Sequence, residues 1–165
     1  MFAKVGVGWA VLAIVLVASS AVDQDRVPEL RVRFQKETDP VRKAKILPRL
    51  ADAEFGEIQN QIAAGNLSDA AAIAGQVRDE AHAAQEALDG KKRDPEQHPD
   101  GYRQLQISVR ESVRRLDDIL IGQAADDQKP FQEIRDDLEK MDGQLIHQLF
   151  PKRPDRVPEP SKPKV

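Results

Sequence analysis

The sequence predicts an all-α protein: an antiparallel up-and-down four-helix bundle with an N-terminal signal or anchor segment and a disordered, proline-rich C-terminal tail. Three observations carry that expectation. Apolar residues recur at three- and four-residue steps in four separate stretches, the period of one helix face. Turn-forming residues separate the stretches, and no alternating strand pattern competes with them.

The first element is an address. Val5 to Val22 carry no charge, and Lys4 precedes them as a positive n-region. Ser19 and Ala21 stand at the −3 and −1 positions of a cleavage site between Ala21 and Val22. The run also reaches the lower end of the ~17 to 25 residues that span a bilayer, so an uncleaved membrane anchor formed by residues 2–21 is the alternative. Gly6, Gly8, Ser19 and Ser20 dilute the run, and Asp23 and Asp25 follow it where a stop-transfer segment would carry bases, which favours cleavage. The chain is therefore read as exported, periplasmic or secreted. It meets a membrane only if the segment is retained, with the bundle then outside the cytoplasm.

Residues 22–39 form a charged lead-in in which Pro28 opens a short helix through Phe34 that stops before Asp39-Pro40. Asp39 caps the first long helix and Pro40 occupies a position where a missing N–H costs nothing. Its stripe is Val41, Ala44, Leu47, Ala51, Phe55, Ile58 and Ile62, placing the helix at about residues 40–64. Pro48 interrupts it, so a kink or a short break is expected there. Gly65-Asn66 stops this helix in a left-handed turn, and Asn66 or Ser68 caps the next, at about residues 67–89, with the stripe Ala70, Ile73, Val77, Ala81, Ala84 and Leu88. Residues 90–101 read as a loop holding Pro95, Pro99 and two glycines. Asp100 caps a third helix with the stripe Tyr102, Leu105, Val109, Val113, Leu116 and Leu120, widened by Ile107 and Ile119 and ended by Gly122. Pro130, as a first helical residue, opens a fourth whose stripe is Phe131, Ile134, Leu138, Met141, Leu145 and Leu149. Phe150-Pro151 ends the bundle domain of residues 40–150. Residues 151–165 contain five prolines among charges, a composition that buries no core.

Composition narrows the function classes. All 28 acidic residues lie beyond residue 21, and removal of Lys4 takes the 25 bases to 24, so cleavage moves the net charge from −3 to −4. That balance argues against a nucleic-acid partner. With no cysteine, disulfide frameworks, thiolate metal sites and a lipid-modified N-terminal cysteine are excluded.

Gly65-Asn66-Leu67-Ser68-Asp69-Ala70 resembles the turn of a tetratricopeptide repeat over about 25 residues. Glu54, Glu57 and Gln61 stand near the places of that repeat's large apolar residues, and nothing recurs at its period, so the segment is read as an ordinary helical hairpin. Asn66-Leu67-Ser68 is also a formal N-glycosylation acceptor. Asp79, His82 and Glu86 line one helix face one turn apart and are the weak candidates for a metal site. A dimetal bundle would need further Glu-x-x-His copies, and His82 lies off the Ala81 stripe, so a solvent-facing histidine without metal or cofactor is expected.

Arg42, Lys43, Lys45 and Arg49 crowd the first turns of the first long helix with no acid among them, against the helix macrodipole. They are the candidate basic patch. The preferred account pairs them with Asp136, Asp137, Glu139 and Asp142 on the last helix; anionic lipid is the alternative if the leader is retained. Arg103, Arg110, Arg114 and Arg115 are read as a self-paired face through Glu111–Arg115 and Arg114–Asp118. Serines 68, 108, 112 and 161 lack a His and carboxylate context, and no phosphate loop or zinc signature appears. The functional expectation is a non-enzymatic exported protein that binds another protein or helps organise the envelope. Met141 and the spacing of the last helix also suit a coiled-coil homodimer.

Overall fold

The computed structural model describes residues 26–92 and 94–151. Among them the protein is all-helical, with five helices and no strand: α1 (Arg26–Lys36), α2 (Pro40–Ala63), α3 (Leu67–Asp89), α4 (Asp100–Gly122) and α5 (Ala125–Leu149). The signal or anchor segment, the Ala21/Val22 cleavage site and the tail beyond Pro151 lie outside the described residues.

The helix ends follow local chemistry. The Asp39 side chain accepts the backbone N–H of Arg42, and Pro40 fills the first helical position of α2. At the other end Gly65 takes φ +79°, with Gly65 N donating to Ile62 O and Asn66 N to Gln61 O. That double bond closes the orphan carbonyls of α2 and reverses the chain into α3. Asn66 occupies the cap position of α3 but makes no side-chain cap; its amide donates instead to Gln61 Oε1 at 3.0 Å. α2 continues through Pro48 without a break.

Two helix starts differ from the sequence expectation. Asp100 is the first residue of α4, behind Pro99, and places its negative charge in the first turn, where the macrodipole favours it. α5 begins at Ala125, ahead of Pro130, with Asp126 and Asp127 in its first turn. So close to the start, Pro130 deprives only the Asp126 carbonyl of an i+4 donor. The Gln128 side chain reaches back to the carbonyls of Leu120 and Gln123, both at 3.0 Å, and staples the α4–α5 joint.

The four apolar stripes meet in one core, joined by Val27 and Phe34 of α1. The short helix of the lead-in is therefore part of the packed fold. All six stripe residues of α5 are buried within the chain, so they do not form the exposed seam that a coiled-coil dimer uses. Ile107 departs from the expectation: it is 57% exposed, and the buried surface of α4 there is made by Ser108 and Ser112. Similarly, Ala74 is buried in α3 and Ile73 only partly.

α2 packs against α1, α3 and α4, whereas α5 packs against α4 and α3 and makes no contact with α2. The start of the first long helix thus does not adjoin the last helix. Val41 instead meets Leu88 at the end of α3 and Tyr102 at the start of α4, around a small cavity of about 90 Å³. Tyr102 Oη donates to Asp89 Oδ1 at 2.9 Å across this joint, and burial, then that bond, push the phenol up to about 12.

Gly101 lets the helices approach closely here. A Cβ on it would lie 2.5 Å from Leu88 Cδ2 and 3.4 Å from Val41 Cγ2. Gly101→Val is expected to lower stability by about 1–3 kcal/mol through overpacking. Chemical denaturation followed by circular dichroism measures this; an unchanged midpoint would refute the tight joint.

Candidate functional site

Three adjacent features combine charge, enclosure or exposed apolar surface. The innermost is an ion cluster that joins α1, α2 and α3. Arg31 sits between the buried Val27 and Phe34, Glu54 between Ala51 and Ile58, and Glu80 between Val77 and Ala84, each at inward-facing helical spacing. Arg31 Nη2 donates to Glu54 Oε1 and, at 2.6 Å, to Gln76 Oε1, while its Nε donates to Glu80 Oε1 at 3.2 Å. Glu54 is fully buried and Glu80 nearly so, at 12% exposure.

One guanidinium faces two buried carboxyls, and Oε2 of each carboxyl has no donor from any other residue. A single proton shared between Glu80 and Glu54 satisfies both oxygens. Burial, and then the neighbouring Glu54 charge, raise Glu80 to about 8. Burial raises Glu54 as well, but Arg31 opposes the shift and keeps Glu54 the more ionised partner. With Glu80 protonated and Glu54 ionised the cluster is one cation, one anion and one neutral acid, the charge-balanced arrangement that an interior tolerates.

The second feature is a groove between α1 and α2. Its walls are Leu30 and Ile46, and Arg33, Arg42, Lys45 and Arg49 surround it with Glu37 as the one acid, enclosing about 270 Å³. Of the four basic-patch candidates, three line this groove: Arg42, Lys45 and Arg49. Arg42, Lys45 and Arg49 fall at steps of three and four on one face of α2. Lys43 turns away, with Nζ 4.9 Å from the Phe34 ring centroid and near the Glu37 carbonyl.

The expected acidic partners are elsewhere. Asp136 and Glu139 bind Arg135, Asp137 binds His82, and Asp142 binds Arg110 and Gln106. They cannot answer the α2 bases because α5 is not a neighbour of α2. Arg42 has Glu37 and Asp39 at 3.6 and 3.8 Å, but Arg33, Lys45 and Arg49 have no carboxylate partner among the described residues.

The third feature is an apolar groove of about 110 Å³ between α2 and α4, lined by Pro48, Ala51, Phe55, Ile107, Ser108 and Ser112. Small side chains make the depression, and Ser112 Oγ satisfies itself on the Ser108 carbonyl at 3.0 Å. Asp52, Glu111 and Arg115 form a charged rim, with Arg115 bonded to Asp52 at 2.5 Å and to Glu111 at 3.5 Å. The α4 arginine face is thus only partly self-paired: Arg114 bonds Glu111, not Asp118, and Arg115 reaches across to α2.

The metal candidates do not converge. Asp79 bonds Arg78, and His82 Nε2 lies 2.8 Å from Asp137 Oδ2, while the Glu86 side chain bonds none of the described residues. Among the described residues no group of three or more His, Cys, Asp or Glu side chains is placed to hold a metal ion. No described helix is long and apolar enough to cross a membrane.

Glu54 was the legible clue to the ion cluster, being a charged residue inside the Ala51–Phe55–Ile58 stripe; its partners on two other helices had no sequence signal. Compared with models of known protein families, with curated proteins and with solved structures, the chain matches none.

The shared proton makes stability depend on pH. Between the ordinary value of 4.5 and about 8 the folded chain holds a proton on Glu80 that the unfolded chain releases. Stability from this group is therefore fully present below pH 4.5, declines between 4.5 and about 8 by at most about 1.4 kcal/mol per pH unit, and levels off above. Thermal melting of Glu80→Gln is expected to lose that slope; an equal slope in both proteins would exclude Glu80 as its source. Arg31→Met leaves the acid pair without its cation and is expected to cost about 3 kcal/mol, read as a lower denaturant midpoint at pH 7.

Proposed function

We propose that the chain is an exported, non-enzymatic interaction module whose α2–α5 helices form an antiparallel four-helix bundle. Alternation of successive helices is supported by cross-helix pairs: Gln106 and Arg110 meet Asp142 while Asp117 meets Arg135, so position numbers fall on α5 as they rise on α4; α2 and α4, neighbours that are not successive, run parallel, with Val41 beside Tyr102 and Asp52 bonded to Arg115. The bundle closes as two hairpins set side by side, since α2 adjoins α4.

The observation that carries the interaction reading is the α2–α4 groove. An exposed Ile107 beside a depression of Ala51, Ser108 and Ser112 is a receptor for one apolar side chain, and the Asp52–Arg115 rim supplies polar contacts around it. The partner is a protein segment that presents such a side chain. An enzymatic reading has less support, because the perturbed acids Glu54 and Glu80 are enclosed by Arg31 and Gln76.

A second reading, a membrane-tethered adaptor held by residues 2–21, is favoured by one observation: the cationic α1–α2 groove begins just beyond the apolar N-terminal run. The N-terminus of the protein purified from cells separates the two. A start at Val22 in the soluble fraction ends the tether.

For the groove, Ile107→Asp is expected to abolish co-purification of envelope proteins while leaving the helical spectrum unchanged, whereas removal of residues 152–165 leaves it intact. Loss on tail removal with Ile107→Asp silent would transfer binding to the tail.

A further inference from the structure

The α1–α2 groove has a charge arrangement that the fold itself does not explain. A cation in a solvated helix face ordinarily finds a carboxylate three or four residues away, as Arg42, Arg115 and Arg135 do here. Lys45 has no acid at that spacing, and Arg33 and Arg49 make no bond to theirs, Glu29 and Glu37 for the one and Asp52 for the other, although all three cations converge on one groove from two helices. The chain as a whole is acidic, with a net charge of −3, so three unanswered cations on one face are a local polarity opposite to that of the molecule.

The position of this face along the chain narrows what answers it. α1 starts at Arg26, and only Asp23, Gln24 and Asp25 separate it from the uncharged run that ends at Val22. Three extended residues reach at most about 10 Å. If the run is held in a bilayer, the start of α1 lies within about 10 Å of the head-group layer, and Arg33, seven helical residues further on, within about 20 Å, so the groove's cations come within the ~8–10 Å over which charge acts at physiological salt when α1 lies along the surface. From these observations we infer that Arg33, Lys45 and Arg49 dock the α1–α2 face on an anionic bilayer surface. The inference rests on the tethered reading for its geometry, not for its chemistry: guanidinium and ammonium groups bind lipid phosphates whether or not the run is retained. The lipid phosphates then supply the negative charge that α5 does not.

The full-length chain is tested by flotation with phosphatidylcholine vesicles and with vesicles that also contain phosphatidylglycerol. Neutral vesicles report the apolar run alone. Wild type is expected to prefer the anionic vesicles, with the preference falling at high salt. The triple variant Arg33→Gln, Lys45→Gln, Arg49→Gln is expected to lose on the order of 100-fold in partitioning to anionic vesicles, at about fivefold per cation, with neutral-vesicle binding unchanged. A second triple variant, Arg103→Gln, Arg114→Gln, Lys129→Gln, removes the same charge from other helices and is expected to keep the preference. No anionic preference in wild type, or equal loss in the two variants, would overturn the docking face. Anionic preference without neutral binding would support the docking face while removing the tether. Matching helical spectra in the three proteins show that unfolding is not the cause.

Discussion

Arg31 has to serve two carboxyls at once, and the arrangement of the first three helices follows from that shortage of positive charge. Burying a carboxylate without a partner costs several kcal/mol, so Glu54, which is fully buried on α2, fixes where α1 can lie. Glu80 brings α3 to the same point. The geometry is satisfied only when all three side chains and one proton are present together, which is a more exacting condition than apolar contact imposes. Replacing such a cluster by apolar residues of similar volume is often neutral or stabilising. Its contribution is therefore better described as register than as strength: α1, with Val27 and Phe34 as its two buried side chains, has little else to set its position along the groove.

On the α4 and α5 side the two half-buried arginines hold acids: Arg135 holds Asp117, Asp136 and Glu139, and Arg115 holds Asp52 and Glu111. These are self-contained networks worth little individually in water. The α1–α2 side carries its unpaired cations and the α2–α4 side its exposed Ile107. The two surfaces meet along α2, so a partner seated at Ile107 and an acidic surface seated at Lys45 would be held by successive faces of one helix.

Much of the helical architecture was legible because apolar periodicity and turn chemistry agreed. The boundaries of α3 and the left-handed Gly65 stop follow from single residues whose conformational needs are strict. Pro130 misled for a physical reason: proline suits a first helical position, but it is also tolerated later in the opening turns, and Asp126 and Asp127 favour an earlier start. Ile107 was counted with the core because a wide stripe and an exposed edge residue have the same spacing. The ion cluster was only half legible. Glu54 breaks an apolar stripe, but nothing local tells that Arg31 and Glu80 will stand opposite it. The pairing of the α2 bases failed for the same reason, since periodicity gives each helix a face and leaves open which helix that face meets.

The segment from Gly90 to Pro99 joins two pairs of helices, α2 with α3 and α4 with α5, and the core runs across the boundary between them. Neither pair covers its own apolar stripe completely; Val41 and Phe55 on one side rely on Tyr102, Ser108 and Ser112 on the other. A chain severed in that connection would retain both halves of a complementary surface, and the fragments would be driven to reassociate. For the same reason two molecules that open there can trade halves, so exchange of the α4–α5 pair between copies is the route to self-association that this architecture leaves open.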